Sequence, residues 1–355
     1  MCGRVWVVAL SLLLSGCGSI SYYAQAIGGH FDVMSRARPI GELLNDESLA
    51  AETRARLAAV LAAREFAVTA LGLPDNDSYR NYADLERPFA LWNVFATPEL
   101  SVTPQEWCLL MVGCVTYRGY FARDKAEAFA AELRAQGHDV YVAGVAAYST
   151  LGWFSDPMLN TILRRSDAEV AALLFHELAH QQLYVKDDTA FNESFATVVE
   201  LEGARRWLAR RGNPGAFAEH ARRLARREQF SQLVLSYRAR LDALYRSAAP
   251  DDEKRAGKRA LFRQLKEQYA SLRSGWGGDT RYDNYFAQEL NNAHLAAVGT
   301  YHRYVPALQD LLAESGGDLT AFYAAAAELA RLPAAEREER LVRFQSRAAR
   351  ERSRE

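Results

Sequence analysis

A chain of 355 residues that is 49% hydrophobic and 25% charged has enough apolar content for a sizeable core and too much for a disordered or fibrous protein. Its 43 basic and 44 acidic residues nearly cancel, which argues against a nucleic-acid partner, for which a basic surplus is expected. The arginines after Arg205 are interspersed with acids at helical spacing, the pattern of a solvated helix face.

The N-terminus reads as a targeting device rather than as fold. Arg4 supplies the positive start, and residues 5–14 form an apolar core of signal-peptide length, too short to span a bilayer. Leu14-Ser15-Gly16-Cys17 follows and resembles the bacterial lipobox. That resemblance implies removal of residues 1–16 and acylation of Cys17, which leaves a protein held on a lipid bilayer by acyl chains. Gly18, where an Asp would have signalled inner-membrane retention, points to the outer membrane and a periplasm-facing protein. With Cys2 discarded and Cys17 committed to lipid, Cys108 and Cys114 remain as an even pair in an oxidising compartment, so a loop-pinning disulfide is expected between them.

Residues 22–30 are aromatic and too apolar for a free linker, so the folded part is expected to start close to the anchor, with His30 structural. Alanines, arginines and apolar residues at three- and four-residue spacing predict a helix over 46–71, ended by Gly72 and Pro74. Between Tyr79 and Tyr120, β-branched and aromatic residues broken by prolines predict two or three short strands, one over 89–96. A helix over 123–136, stopped by Gly137, precedes a strand over 139–145 and the loop 148–154, which either lines a site or is a turn packed by Trp153. Asp167 is the expected cap of a helix running to about residue 184, and Asp188 or Thr189 caps the next. Helical patterns then run over 214–248, 253–273, 290–297, 301–313 and 320–332, broken by the glycine-rich stretch 274–279. The expected fold is therefore α+β and predominantly α-helical, a single domain over 17–332 followed over 333–355 by a charged tail that is a solvated helix or frayed.

Within the helix after Asp167 stands His176-Glu177-Leu178-Ala179-His180, an HExxH pattern. One helical turn places both imidazoles on the same face, where they can share a metal ion, and Glu177 lies beside that face, able to touch water at the ion without being a ligand. A hydrolytic zinc usually takes three protein ligands and keeps one position open. The metzincin pattern requires Gly at 183 and His at 186, and the chain has Leu183 and Lys186. Glu193 is the better third ligand, because a short turn would fold its helix back on the first; Asp187, Asp188 and Glu200 remain alternatives as ligands or supporting groups.

Asn192-Glu193-Ser194-Phe195-Ala196 resembles the Asn-Glu-x-Phe-Ala segment of gluzincin aminopeptidases, whose glutamate binds zinc, although the connection from His180 is shorter here. The stretches 117–121, 147–154 and 184–196, with Leu73-Pro74-Asp75-Asn76 and Asn291-Asn292-Ala293, resemble the bacterial lipoproteins described as predicted aminopeptidases, from the tether to about Leu312. The resemblance implies a gluzincin-like zinc peptidase with a small β-sheet before the metal-binding helix. One Zn2+ per chain would sit on His176, His180 and Glu193, Glu177 would be general base, and a peptide or protein would be substrate. Oxyanion support falls to Tyr301, His302, His294, Tyr282 or Tyr285 without a choice among them. An aminopeptidase also needs an acid for the substrate's ammonium; residues 140–155 contain none, which leaves Asp156 or the C-terminal helices. Two alternatives stand beside this reading: a metal-binding lipoprotein serving envelope assembly or peptide binding with little hydrolysis, and a purely structural helical lipoprotein.

Overall fold

The computed structural model describes residues 21–109, 113–147, 154–298 and 304–352. In chain order the elements begin with helix α1 (21–35), strand β1 (Arg38–Pro39), helices α2 (Ile40–Leu43) and α3 (Ala51–Thr69), and strands β2 (Asn81–Ala83) and β3 (Leu91–Pro98). Strands β4 (Trp107–Leu109), β5 (Gly113–Val115) and β6 (Arg118–Tyr120), helix α4 (Arg123–Ala135), and strands β7 (His138–Val145) and β8 (Met158–Leu159) follow. The rest is helical: α5 (Asn160–Leu163), α6 (Asp167–Gln182), α7 (Thr189–Arg210), α8 (Pro214–Arg246), α9 (Asp251–Gly275), α10 (Asp283–Phe286), α11 (Asn292–Ala297), α12 (Val305–Glu314), α13 (Leu319–Arg331) and α14 (Ala334–Arg352). The protein is mostly helical α+β, with small sheets built from strands that precede α6. No helix among the described residues is long and apolar enough to cross a membrane. The signal segment and Cys17 lie outside the described residues.

Two compact units form, each from separated stretches of chain. The first takes the described residues of Met1–Ala37, Ala83–Tyr148 and Ser236–Ala297. Its sheet is antiparallel in the order β6-β3-β7, with β3 in the middle. Period-two alternation along β3 turns Trp92, Val94 and Ala96 to one face, where Ala126, Ala130 and Leu133 of α4 cover them. Phe95 turns the other way and stacks on Tyr141, its direct partner on β7, and Tyr141 in turn stacks on His294 with ring centroids 4.1 Å apart. Asn292 is fully buried and works as a strut: its amide donates to the Glu99 carbonyl, and it accepts from the Tyr245 hydroxyl. Cys108 and Cys114 are direct partners across β4 and β5, and a disulfide joins them. The expected two or three strands before Tyr120 are more numerous because β4, β5 and β6 are each only three residues long, too short to show alternation.

The second unit takes Arg38–Tyr82, Ser149–Leu235 and the described residues of Val298–Glu355. Helices α3, α6 and α7 pack through Phe66, Phe175 and Trp207, with Phe66 5.1 Å from the Trp207 ring and 6.0 Å from the Phe175 ring. Gly203 permits the close approach of α7: a Cβ there would lie 2.7 Å from the Phe175 ring and 2.8 Å from Leu71. Arg64, fully buried, donates to the carbonyls of Pro74, Asn76 and Ser78 and so wraps the segment after α3 around its guanidinium. Asn76 then donates to Gln181 at the end of α6, at 2.7 Å. The charged C-terminal run, open between solvated helix and frayed tail by composition, is the helix α14, and it buries Arg337 and Leu341.

The cap of α6 is Ser166, one residue before the expected Asp167. Ser166 and Glu169 form a reciprocal capping box, which satisfies two backbone donors at once and outcompetes a lone aspartate at the next position. Burial disfavours charge on Glu169, but its hydrogen bonds to Ser166 and its pairing with Arg223 at 2.6 Å outweigh that and bring its pKa from 4.5 down to about 2. A carboxyl depressed in the folded state stabilises fully above its unfolded pKa and loses that contribution as pH falls through the folded one. Glu169→Gln should therefore cost on the order of 2 kcal/mol at neutral pH. In urea melts the gap from the unmodified protein should close between pH about 4.5 and about 2. A gap that persists at the acid end would exclude this linkage.

Candidate metal centre

Helix α6 buries Leu174, Phe175, Leu178 and Ala179 on one side, which fixes it in the core and presents His176 and His180 from the other. Their rings lie 4.9 Å apart and close to perpendicular, as expected for positions one turn apart. After Gln182 the chain leaves α6 and turns back within a few residues, with Asp187 in a left-handed conformation at φ 63°. Asn192, 2% exposed, clips that turn: its side-chain oxygen accepts from the Val185 N–H at 2.8 Å and its amide donates to the Val185 carbonyl at 2.7 Å. Asp188 caps α7 by accepting from Phe191 N–H at 3.0 Å, and Arg337 holds the same carboxylate at 2.7 Å. The start of α7 is thus tied down from both sides, and the next residue after Asn192 is Glu193.

Glu193 faces both rings. One carboxylate oxygen lies 3.4 Å from His176 Nε2 and the other 3.5 Å from His180 Nε2. Two imidazole nitrogens and a carboxylate oxygen therefore gather within 4.8 Å of one another, a group that could hold a metal ion. Of the alternatives, Asp188 is spent on the cap and on Arg337, and Glu200 approaches from behind, with Oε2 3.0 Å from His176 Nδ1. That contact leaves the Nε2 lone pair of His176 directed at Glu193 when Nδ1 carries the proton. His180 has no matching brace, its Nδ1 being buried without a hydrogen-bond partner among the described residues.

Burial disfavours charge on both rings. At His176 the hydrogen bonds to Glu193 and Glu200 outweigh it and hold the pKa up to about 10, with help from the neighbouring charge of Glu177. At His180 burial prevails, reinforced by His176, and the pKa falls to about 4. The carboxylates call for positive charge between the rings, and a divalent cation would meet that demand with both imidazoles neutral. The donor set, two nitrogens and one oxygen, suits zinc with a position left for water.

The remaining expected participants fall elsewhere. Tyr301 and His302, like residues 148–153 of the aromatic loop, lie outside the described residues. His294, Tyr282 and Tyr285 belong to the first unit, where His294 accepts from Asn291 N–H and Tyr285 donates to the His294 carbonyl. Asp156 is 1% exposed, and its carbonyl accepts from the Tyr79 N–H, so its burial disfavours it as the anchor for a substrate ammonium. Sequence reasoning missed Asn192 and Arg337. Asn192 reads in the sequence only as part of the Asn-Glu-x-Phe-Ala motif, and Arg337 sits in a run whose charge suggests solvent.

A family model described as "Putative aminopeptidase" matches residues 21–341. No curated protein and no solved structure matches the chain. Since that match covers most of the sequence and includes both histidines and Glu193, the chain belongs to the putative aminopeptidase family.

Proposed function

We propose that the protein is a zinc metallopeptidase of gluzincin type that hydrolyses peptide bonds, with His176, His180 and Glu193 as ligands and Glu177 as general base. The observation that carries this reading is the convergence of two imidazole Nε2 atoms and one carboxylate from neighbouring helices. Zinc, when bound, supplies a Lewis acid toward the scissile carbonyl and acidifies water. Glu177 follows the first ligand on α6, and its charge reaches the His176 ring. Its task is to take a proton from the attacking water and deliver it to the leaving amine. Glu200, with Oε2 3.0 Å from His176 Nδ1, would keep the proton on that nitrogen and orient the ring once Nε2 serves as a ligand. The lipobox-like Leu14-Ser15-Gly16-Cys17 supports an acylated Cys17 and a place at the outer membrane facing the periplasm, where a peptide or protein would be the substrate.

The test is metal analysis, intact mass and cleavage profiling on one preparation extracted from membranes. One zinc per chain, acyl chains on Cys17 and cuts in a peptide library are expected. Cuts confined to the first bond of peptides with free N-termini, and lost when those termini are blocked, make it an aminopeptidase; internal cuts make it an endopeptidase. Zinc without any cleavage supports the metal-binding lipoprotein instead, and absence of zinc removes the enzyme reading.

A further inference from the structure

A second site lies in the unit that does not hold the metal group. A cleft of about 890 Å³ runs between α9 and the outer sheet strand β7. Phe262, Leu290 and Val140, all buried, give it an apolar floor. Its wall is basic, because α9 contributes Lys258, Arg259, Arg263 and Lys266. Lys258 is neutralised by Asp139 at 2.6 Å, and Arg134, at the cleft's edge, by Glu127 at 3.7 Å. Arg259, Arg263 and Lys266 form no ion pair among the described residues, and Lys266 only donates to the Gln288 carbonyl. Against these three cations the lining offers one carboxylate without an ion pair, Glu289. The positive field is felt inside the cleft: burial, and then the charges of Lys266 and Arg134, push the pKa of His294 down to about 3.

Spacing identifies the kind of anion. Arg259 and Arg263 are four residues apart on a helix, which separates them by about 6 Å along its axis, and Lys266 follows after about 4.5 Å more. Same-side residues of an extended chain repeat every ~6.6 Å. Carboxylates at alternate positions of an extended peptide thus match the step from Arg259 to Arg263, and the long, flexible side chain of Lys266 takes up the shorter step that follows. A lone phosphate would engage one or two of them and leave most of the cleft unfilled. We propose that this cleft binds an extended acidic peptide segment, whose alternate carboxylates are received by Arg259, Arg263 and Lys266 while its backbone lies over the apolar floor.

The experiment uses the full chain carrying Glu177→Gln, so that no probe is cut, and follows the fluorescence anisotropy of a labelled peptide with glutamate at every second position. Saturable binding that weakens as salt is raised is expected. Reversing two charges, Arg259→Glu with Arg263→Glu, should weaken it by at least about tenfold. Both side chains are exposed, so the thermal melt should stay unchanged. Equal binding by the charge-reversed variant, or by a peptide with glutamine in place of glutamate, overturns the proposal. Complete displacement by an equal concentration of inorganic pyrophosphate also overturns it, in favour of a phosphate site. The readout is binding, so it stands or falls independently of hydrolysis at the metal group.

Discussion

Glu177→Gln should leave zinc content unchanged and lower kcat/KM for peptide cleavage by about 10²- to 10⁴-fold, the usual contribution of a positioned general base. The two halves of this expectation come from different observations. Metal retention follows because the group that could hold the ion comprises His176, His180 and Glu193, and Glu177 is outside it. Loss of rate follows because glutamine keeps the size of glutamate but cannot accept the proton of water. The change conserves volume at a half-buried position, so the melting temperature should barely move. Cleavage at the unmodified rate, with zinc still bound, would show either that another group is the base or that the cutting comes from a contaminant. Loss of zinc would instead place Glu177 among the ligands.

The legible and illegible parts of the site differ for a physical reason. His176 and His180 were readable because the helical pitch converts a four-residue spacing into a shared face without any tertiary knowledge. Glu193 was readable because a short turn between two helices leaves few ways to fold back, and Asp188, one of the two residues expected as cap, marks where α7 begins. Glu200 lies seven residues further on the same helix, so periodicity puts both glutamates on one face and cannot say which meets the ion. Distance separates them: Glu193 addresses both Nε2 atoms and belongs to the group that could hold an ion, whereas Glu200 addresses only the Nδ1 of His176. Arg337 was illegible because its partner, Asp188, is remote in sequence, and a single buried arginine among solvated ones leaves no local trace. The three-residue strands fail for the opposite reason: they are too short to carry a period at all.

Glu200→Gln is the second large effect expected, and it tests how the site is held rather than what it holds. The Glu200 carboxylate is 9% exposed and lies 3.0 Å from His176 Nδ1. Burial favours its neutral form, but the hydrogen bond and charge of His176, followed by the charge of Arg227, overcome that and keep its pKa below the usual range. An ionised acceptor at this position fixes the proton on Nδ1, orients the ring and makes Nε2 a stronger donor. A glutamine there keeps the shape and loses the charge. His176 would keep a neutral acceptor for its Nδ1 proton but lose the charge that strengthens that bond, moving it toward the unbraced state of His180, whose Nδ1 has no hydrogen-bond partner among the described residues. Zinc affinity, measured by competition with a chelator, should fall about 10- to 100-fold. The apo protein should lose stability as well, because the buried His176 loses the charge that holds its proton, so the chelator competition is read on protein shown by circular dichroism to be folded. Glu200→Asp, which retains the charge on a shorter arm, should recover part of the affinity. If Glu200→Gln resists the chelator as well as the unmodified protein does, Glu200 does not support the metal group, and His176 must owe its orientation to the packing of α6.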